Sequence, residues 1–561
     1  MSDYNTHVTT TTAMSMPPFT HEVINDGDTK KSGLEHLEDT TFGVEHDTAP
    51  VSAFVDLSQL KAFRIFWLSV LISVAASFSA VSDGYALAMP GSIIANQGFI
   101  NRFGRQIDPT TGAVSLSAHD VSVWGGTTSA GQICGMVLQA FIGDKLGRRT
   151  SLLAMSAFLA LATVCELVAK DWRVWLVAKL FGGIGTGIMQ AATPLYIAEM
   201  APPQIRGFML SFYSFFFSIG QFLSAIVLNF TNTSHPLDYK IPIYVEWGFV
   251  GFYVPVIILL LPESAWWLAL HGKDDKAKRV LKRLYGRVSG YNVEHEYRVL
   301  VHAVQLEQTV HSSQKSASWL AIFKGVDARR TFVSFFPFCM QQLFGVPLIF
   351  GYITYFFQLV GVTQPFLITI IVNVVGMVGV LIGTFLTDFV GRRPLILVGG
   401  AVMCISLLSV GIAGSVAASA VGNKVLIAFS IIWVIAYGCS IGPLGYAYTA
   451  ESSRLQLRAK TEACATAGTS MVGLLFNYTV PYMLNADEAN WGLKTGFFFG
   501  GTGLAATIIA YFTIPETSRR TYAELDELFE NRVSARKFKS YKTQVQMDRD
   551  AREELAQNAS G

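Results

Sequence analysis

Gly143-Asp-Lys-Leu-Gly-Arg-Arg149 recurs 244 positions later as Thr387-Asp-Phe-Val-Gly-Arg-Arg393, with the Asp, the second Gly and both Arg in place. Two further pairs of charged motifs repeat at offsets of 252 and 253. They are Glu199 with Arg206 and Glu451 with Arg458, and Pro262-Glu263-Ser264 and Pro515-Glu516-Thr517. Three matched pairs at nearly one offset indicate that the chain is a tandem duplication.

The composition places the duplicated unit in a membrane. Of 561 residues, 51% are hydrophobic and 15% are charged, against about 25% charged residues in an average soluble domain. A net charge of +2 argues against a nucleic-acid binder. The six cysteines lie in apolar runs without metal-ligand spacing, and no phosphate-binding loop occurs. We therefore expect no enzyme activity, no ATP-driven pump, no metal and no cofactor.

Twelve apolar runs are long enough to cross a bilayer as helices, which predicts an all-α membrane protein of two six-helix halves. These predicted spans, numbered 1 to 12, are residues 63–90, 120–142, 150–169, 174–198, 207–230, 244–262, 331–358, 366–387, 395–416, 425–450, 461–484 and 494–514.

Polar segments divide the chain into five parts. The predicted parts are a disordered tail 1–62, a first half 63–262, a linker 263–330, a second half 331–514 and a charged tail 515–561. The first 60 residues hold ten Asp or Glu against two Lys, a composition typical of disorder. In the linker, 274–287 and 293–304 each carry one apolar stripe, which predicts two short amphipathic helices.

The distribution of Lys and Arg predicts the orientation of the spans. Basic residues are concentrated in loops 2–3, 6–7 and 8–9 and in the C-terminal tail. We therefore expect a multi-pass plasma-membrane protein with both termini in the cytoplasm. Loop 5–6 would then be extracellular, and its sequons make Asn232 and, nearer the bilayer, Asn229 candidate glycosylation sites.

Together these motifs resemble the sugar porter family of the major facilitator superfamily. The resemblance covers about residues 63–530 and rests on the repeated motifs, on Tyr196-x-x-Glu199 and on Gln341-Gln342. Within that family, Gly351-Tyr-Ile-Thr-Tyr-Phe-Phe357 and the tail from Thr521 resemble fungal α-glucoside permeases of the maltose type. The resemblance implies the major facilitator fold and transport by alternating access.

The resemblance also assigns a gating role to charged residues at the cytoplasmic helix ends, where ion pairs would join the halves when the cavity opens outward. The alternative is charge that only sets topology. The residues concerned are Asp144, Arg148, Arg149, Glu199, Arg206, Glu263, Asp388, Arg392, Arg393, Glu451, Arg458 and Glu516.

A sugar site needs directional donors and acceptors for hydroxyl groups, and an amide side chain supplies both. By resemblance the site falls on Gln221, Gln341, Gln342 and Tyr446. A lone Gln in a spanning helix can equally form a helix–helix hydrogen bond. Many sugar porters have Asn where this chain has Pro347, and an amide where it has Thr469; Pro347 fits a broken helix.

The predicted coupling site departs most from the family. Proton-coupled sugar porters usually carry Asp after Gly-Tyr in span 1 and Arg in span 4, whereas this chain has Ala86 and Lys179. Asp83 lies three residues before Ala86, on nearly the same helix face. We therefore predict that Asp83 and Lys179 face each other as a proton-coupling pair. The alternatives are a static structural pair, or an Asp83 that faces cytoplasmic water.

The sequence thus predicts a monomeric secondary transporter that moves a sugar, an α-glucoside or hexose, across the lipid bilayer. Proton symport and facilitated diffusion both stay open. Two alternatives remain, an exporter of a sugar-derived metabolite and a sugar sensor that does not transport.

Overall fold

The computed structural model describes residues 52, 54, 57–107, 114–316, 319–416, 419–454, 457–485, 488–518 and 520–547. Most of the predicted N-terminal tail 1–62 and the last residues of the C-terminal tail therefore lie outside the described residues. A two-stranded antiparallel ribbon, Gln106–Ile107 with Val114–Ser115, is the only sheet in the described part of the chain.

A helix covers each of the twelve predicted spans. In the first half, span 1 runs as Trp67–Ser77 and Ser79–Ile93 after a short helix Gln59–Ile65, and spans 2 to 6 are Ala118–Lys145, Arg148–Val168, Trp172–Met200, Arg206–Ser234 and Ile241–Leu259. In the second half, span 7 begins as Gly325–Leu343, and spans 8 to 12 are Pro365–Val390, Arg392–Val416, Ser419–Ser452 with a break, Arg458–Leu484 and Thr495–Thr513.

Within the described residues, nine of these helical stretches are both long and apolar enough to cross a membrane. Spans 2, 7 and 11 are the other three, and they are more polar or interrupted. Span 5 continues to Ser234, so both sequon residues, Asn229 and Asn232, lie in the last turns of a helix and not in a loop.

Two spans of the second half are broken at prolines. Span 7 stops at Leu343, turns through Gly345 with φ of 84°, forms a π-helical turn Pro347–Gly351 and resumes as Ile353–Leu359. This confirms the broken helix predicted from Pro347, which has no N–H for the carbonyl of the preceding turn.

Span 10, predicted at 425–450, contains a break that was not predicted from the sequence. It is interrupted at Ser440, between helices Ser419–Cys439 and Ile441–Ser452. The physical reason is Pro443, whose ring excludes the carbonyl of Cys439 four residues earlier. The Ser440 hydroxyl also bonds back to the Ala436 carbonyl, an arrangement that bends helices.

The linker holds the two predicted amphipathic helices, Asp274–Tyr285 and Val293–Ser316, with a shorter helix Ala265–Leu270 before them. Lys278 Nζ lies 2.8 Å from Glu294 Oε1 and ties the two together. The Tyr285 hydroxyl donates to Ser69 Oγ and Met200 O, so the linker is fixed to spans 1 and 4.

The charged C-terminal tail has more structure than its composition suggests. A helix Tyr522–Glu530 starts at a capping box of Thr521 and Glu524. Phe529 and Phe538 are fully buried, and the Arg329 guanidinium donates to the Val533 carbonyl at 2.6 Å. The tail therefore packs on the start of span 7. We call the membrane end that carries this tail, Gly147 and Gly391 the tail face.

Each half fixes the start of its third helix with a carboxylate from the end of its sixth. Glu263 accepts from the backbone N–H groups of Arg148 and Arg149, and Glu516 accepts from those of Arg392 and Arg393. These amides would otherwise lack a hydrogen-bond acceptor, and the negative charge of the carboxylate also interacts favourably with the positive end of the helix dipole.

Gly147 and Gly391 make this contact possible because both have left-handed backbone, with φ of 102° and 97°. A Cβ atom at Gly147 would lie 2.5 Å from Glu263 Oε2, and one at Gly391 would lie 2.8 Å from Glu516 Oε2. Only glycine therefore allows both the turn and the capping carboxylate.

We predict that Gly147→Ala and Gly391→Ala each lower the free energy of unfolding by about 1–3 kcal/mol, the cost of left-handed backbone at a non-glycine residue. Chemical denaturation of the purified protein in detergent measures this. Gly251→Ala is the matched control, since that helical glycine has open space around it; equal losses in all three variants would contradict the prediction.

Candidate functional site

Two arginine–glutamate pairs lie at equivalent positions of the tail face. Arg148 Nη2 is 2.8 Å from Glu199 Oε1, and Arg392 Nη2 is 3.1 Å from Glu451 Oε1. The Arg148 guanidinium also donates to the Gly143 carbonyl at 2.6 Å. Each pair joins spans 3 and 4, or spans 9 and 10, of one half. These pairs therefore stabilise each half internally.

The other predicted gating residues lie around these pairs. Arg149 Nη2 donates to Ile258 O and Arg393 Nη2 to Tyr511 O, again at equivalent positions of the two halves. Asp144 is 3.8 Å from Arg148 and largely exposed. Arg206 and Arg458 are the first residues of spans 5 and 11. The side chain of Asp388 lies outside the described residues.

The halves contact each other towards the end opposite to the tail face. Ser92 Oγ lies 2.9 Å from Thr354 Oγ1, and Asn477 Nδ2 donates to Ser129 Oγ at 3.0 Å. Gly91 lies against the Gly351 carbonyl so closely that a Cβ atom would overlap it. Spans 1, 2, 7 and 11 therefore close this end of the molecule.

Beside these contacts lies a cavity of about 90 Å³. Its wall comes mainly from spans 1, 2, 3, 4 and 6, with Gly351, Tyr352 and Asn477 on the side of the second half. Polar side chains in the wall include Thr128, Ser129, Gln132, Glu166, Lys179, Thr186, Glu246, Tyr352 and Asn477. The mixed polarity of this lining suits a small polar ligand.

Lys179 lies in this wall, but its partner is not the one predicted from the sequence. Its Nζ is 2.6 Å from Glu166 Oε1 in span 3, and the Glu246 carboxyl of span 6 lies within hydrogen-bonding reach of Glu166. All three side chains are buried. We call Glu166, Lys179 and Glu246 the acid–lysine cluster.

Asp83 is engaged elsewhere. It is 1% exposed, and it accepts hydrogen bonds from Gln190 Nε2 at 3.1 Å and from the Tyr213 hydroxyl at 2.8 Å. The predicted pairing of Asp83 with Lys179 is therefore wrong, and so is the alternative that Asp83 faces water. Glu166 is the nearer partner because it projects from the helix that packs along span 4.

Gln341, predicted to bind sugar, lies at the break of span 10. Its Nε2 is 3.4 Å from both the Ile441 and the Gly442 carbonyls, and its Oε1 accepts from the Tyr437 hydroxyl at 3.2 Å. The Tyr437 ring stacks on Trp433. The amide thus links the two broken spans.

The other predicted sugar residues contact other spans. Gln342 lies beside Gly473 of span 11. Gln221 is buried in span 5, and its carbonyl accepts from Asn373 Nδ2 of the other half. The side chain of Tyr446 lies outside the described residues. In the described part of the chain, Gln221, Gln341 and Gln342 are not among the residues that line the cavity.

Glu166 and Glu246 are site residues that were not predicted from the sequence. Both lie inside predicted spans, at 150–169 and 244–262, and a carboxylate within an apolar span is itself a signal of function. Their charge within apolar spans is therefore the sequence signal that identifies them. The family resemblance placed the coupling site on spans 1 and 4 instead.

An aromatic group covers the acid–lysine cluster on the side away from the tail face. Lys179 Nζ lies 4.5 Å from the centre of the Trp175 ring, and Phe99, Phe103 and Trp124 pack around that ring. These rings separate the cluster from the opposite end of the molecule.

Comparison with known proteins agrees with this architecture. The family model described as "Sugar (and other) transporter" matches residues 72–529. The MFS transporter fmqE of Aspergillus fumigatus is 32% identical over 505 residues, which cover 88% of this chain and 91% of fmqE. The maltose permease MAL61 of Saccharomyces cerevisiae is 29% identical over 86% of this chain and 79% of the permease. The inward-open structure of the xylose transporter XylE from E. coli has the same fold, with a TM-score of 0.66 and 23% identity over 82% of this chain and 99% of XylE.

The pairing of Lys179 can be tested with double-mutant cycles. We predict a coupling of about 0.5–3 kcal/mol between Lys179→Met and Glu166→Gln, because the two side chains are in direct contact. Lys179→Met with Asp83→Asn should be additive within about 0.5 kcal/mol. Denaturation in detergent measures all variants; a larger coupling to Asp83 than to Glu166 would reverse our assignment.

Proposed function

The chain belongs to the sugar (and other) transporter family, and from this premise we propose that it carries a sugar across a membrane by alternating access. The observation that carries the proposal is the cavity of mixed polar and apolar lining beside the contacts between the duplicated halves. Transporters built from repeats bind their substrate at such an interface. We propose that the protein acts as a monomer in the lipid bilayer.

An α-glucoside or a hexose is the substrate class that the relatives favour, since MAL61 is named a maltose permease. The chemistry of the cavity supports a ligand with several hydroxyl groups. Tyr352, Asn477 and Gln132 offer donors and acceptors, and Trp124 offers an aromatic face. We propose that Gln221, Gln341, Gln342 and Tyr446 join these contacts when the halves move together.

We propose that the tail face is cytoplasmic, that both termini lie there and that the protein resides in the plasma membrane. The Lys and Arg bias of loops 2–3, 6–7 and 8–9 supports this orientation. Glycosylation of Asn232 or Asn229 would then mark the opposite face. Because the halves touch near that opposite face, the described conformation corresponds to a cavity that opens inward.

The charged residues of the tail face are proposed to act as the gate. In the described conformation Arg148 is paired with Glu199 and Arg392 with Glu451, each within one half. When the tail face closes, these guanidinium groups would approach the other half and could share its carboxylates. Arg suits this role because its planar group binds a carboxylate in a fixed geometry.

We propose that the protein is a proton symporter, so that the proton gradient drives accumulation of the sugar. Buried ionisable side chains in spanning helices are costly and are retained where they carry ions or protons. Asp83, Lys179, Glu166 and Glu246 are such groups, and three of them line the cavity.

A second candidate is efflux of a sugar-derived metabolite by the same fold. Ala86 stands where proton-coupled sugar porters usually have Asp, and Pro347 where many have Asn, so the cavity need not favour a plain sugar. The direction of net transport distinguishes the two candidates.

We predict that transporter-null yeast cells that produce this protein accumulate at least one of labelled maltose, glucose, fructose or xylose, and that a protonophore abolishes the accumulation. Uptake that a protonophore leaves unchanged would indicate facilitated diffusion. Binding without uptake of any of the four sugars would favour the sensor, and export of preloaded label would favour the efflux candidate.

We predict that Gln341→Ala weakens the affinity for the transported sugar about 2- to 12-fold, the effect of one lost neutral hydrogen bond. Uptake kinetics measure the change, with surface labelling to confirm delivery to the membrane. Gln97→Ala, an exposed amide outside the spans, is the control. Unchanged transport constants in Gln341→Ala would make Gln341 a structural link between spans 7 and 10.

A further inference from the structure

We propose that the transported proton is bound by the carboxyl pair Glu166–Glu246 of the acid–lysine cluster, and not by Asp83. This inference rests on the proposed proton-coupled transport and names the site that would perform it. It also gives Lys179 a role: its ammonium group compensates one of the two carboxylates, so that the pair binds one proton when the cavity is open.

The geometry brings three ionisable groups from three helices to one point. Glu166 comes from the end of span 3, Lys179 from the second turn of span 4 and Glu246 from the second turn of span 6. Glu166, Lys179 and Glu246 are 4%, 5% and 7% exposed. Since two carboxylates face one ammonium, full ionisation would leave an uncompensated negative charge inside the membrane, which is costly.

The hydrogen bonds of the two carboxyl groups also indicate that a proton is missing between them. Within the described structure, Glu166 Oε2 and Glu246 Oε2 are both buried and receive no hydrogen bond. Two carboxylates can only accept, but one proton placed between them gives one oxygen a donor and the other an acceptor. Adjacent carboxyl groups that share one proton in this way are well known to titrate as a pair.

The neighbouring groups do not supply that donor. Tyr85 of span 1 lies near both carboxyl groups, but its hydroxyl donates to the Pro242 carbonyl at 2.8 Å. Cys165 lies next to Glu166 in the chain, and its thiol is a weak donor. On span 4, Lys179 contacts Glu166 Oε1 on one side and the Trp175 ring on the other.

Asp83 offers a useful contrast. Its two carboxylate oxygens each receive a hydrogen bond, from Gln190 and from Tyr213. It is therefore satisfied in its ionised form, and it does not line the cavity described above. Glu166 and Glu246 do line that cavity, so a proton that leaves them enters the space that the sugar would use.

Infrared spectroscopy tests the site without any substrate. Purified wild-type protein in detergent at neutral pH should show the C=O stretch of a protonated buried carboxyl group. The band should disappear in Glu166→Gln and in Glu246→Gln and persist in Asp83→Asn and in Asp238→Asn, the last being an exposed carboxylate close to span 6. A band that survives in both glutamate variants, or that Asp83→Asn removes, overturns the proposal.

Transport tests whether the same proton moves. With whichever of the four labelled sugars the wild type accumulates, Glu246→Gln and Glu166→Gln should lose accumulation and keep counterflow exchange, because the amide imitates a permanently protonated carboxyl group. Normal accumulation in Glu246→Gln, or loss confined to Asp83→Asn, overturns the inference.

The two proposals can fail separately. If the wild type transports none of the four sugars, the proposed function fails, and the infrared band alone decides for or against the carboxyl pair. If the wild type transports sugar without sensitivity to a protonophore while the band is present, the pair holds a fixed proton and the inference on the transported proton is overturned.

Discussion

The contact between a glutamate and the first backbone amides of the third helix holds each half of this protein together. Glu263 and Glu516 each bridge the end of a six-helix unit to its middle, and the glycines that admit them have left-handed backbone. The neighbouring tyrosines add a second bridge, since Tyr196 donates to Pro262 O and Tyr448 to Pro515 O at 2.8 and 2.9 Å. The same set of interactions thus positions spans 3, 4 and 6 in the first half and spans 9, 10 and 12 in the second. Spans 3, 4 and 6 are also the helices that carry the acid–lysine cluster.

Much of this architecture could be predicted from the sequence, for physical reasons. A spanning helix must satisfy its backbone internally and needs about 20 apolar residues, so length and hydropathy suffice to locate it. The repeated Asp, Arg and Glu motifs located the helix ends and the duplication. The break at Pro347 followed from its missing N–H. The break at Ser440 could have been predicted in the same way from Pro443, but a long apolar run concealed it.

The site was less predictable, because spacing along one helix does not determine which side chain of another helix faces it. Asp83 and Lys179 are both buried and opposite in charge, and each nonetheless has other partners. Lys179 reaches Glu166 because spans 3 and 4 pack along each other, whereas Asp83 turns towards Tyr213 of span 5. Similarly, the amide of Gln341 is fixed by carbonyl groups that only the break in span 10 exposes. Such contacts depend on the rotation of each helix about its own axis. A span that is apolar on all sides does not reveal this rotation, because no face of it is marked as the buried one.

The packed C-terminal tail has a practical consequence for anyone who handles this protein. Phe529 and Phe538 are as deeply buried as core residues of the membrane domain, and Arg520 donates to the carbonyls of Phe538 and Tyr541. The segment up to about residue 541 therefore belongs to the folded body, although it follows the last membrane helix. Affinity tags, fluorescent reporters and crystallisation truncations should accordingly join the chain beyond this segment, because a fusion made directly after Thr513 would remove part of the support beneath span 7.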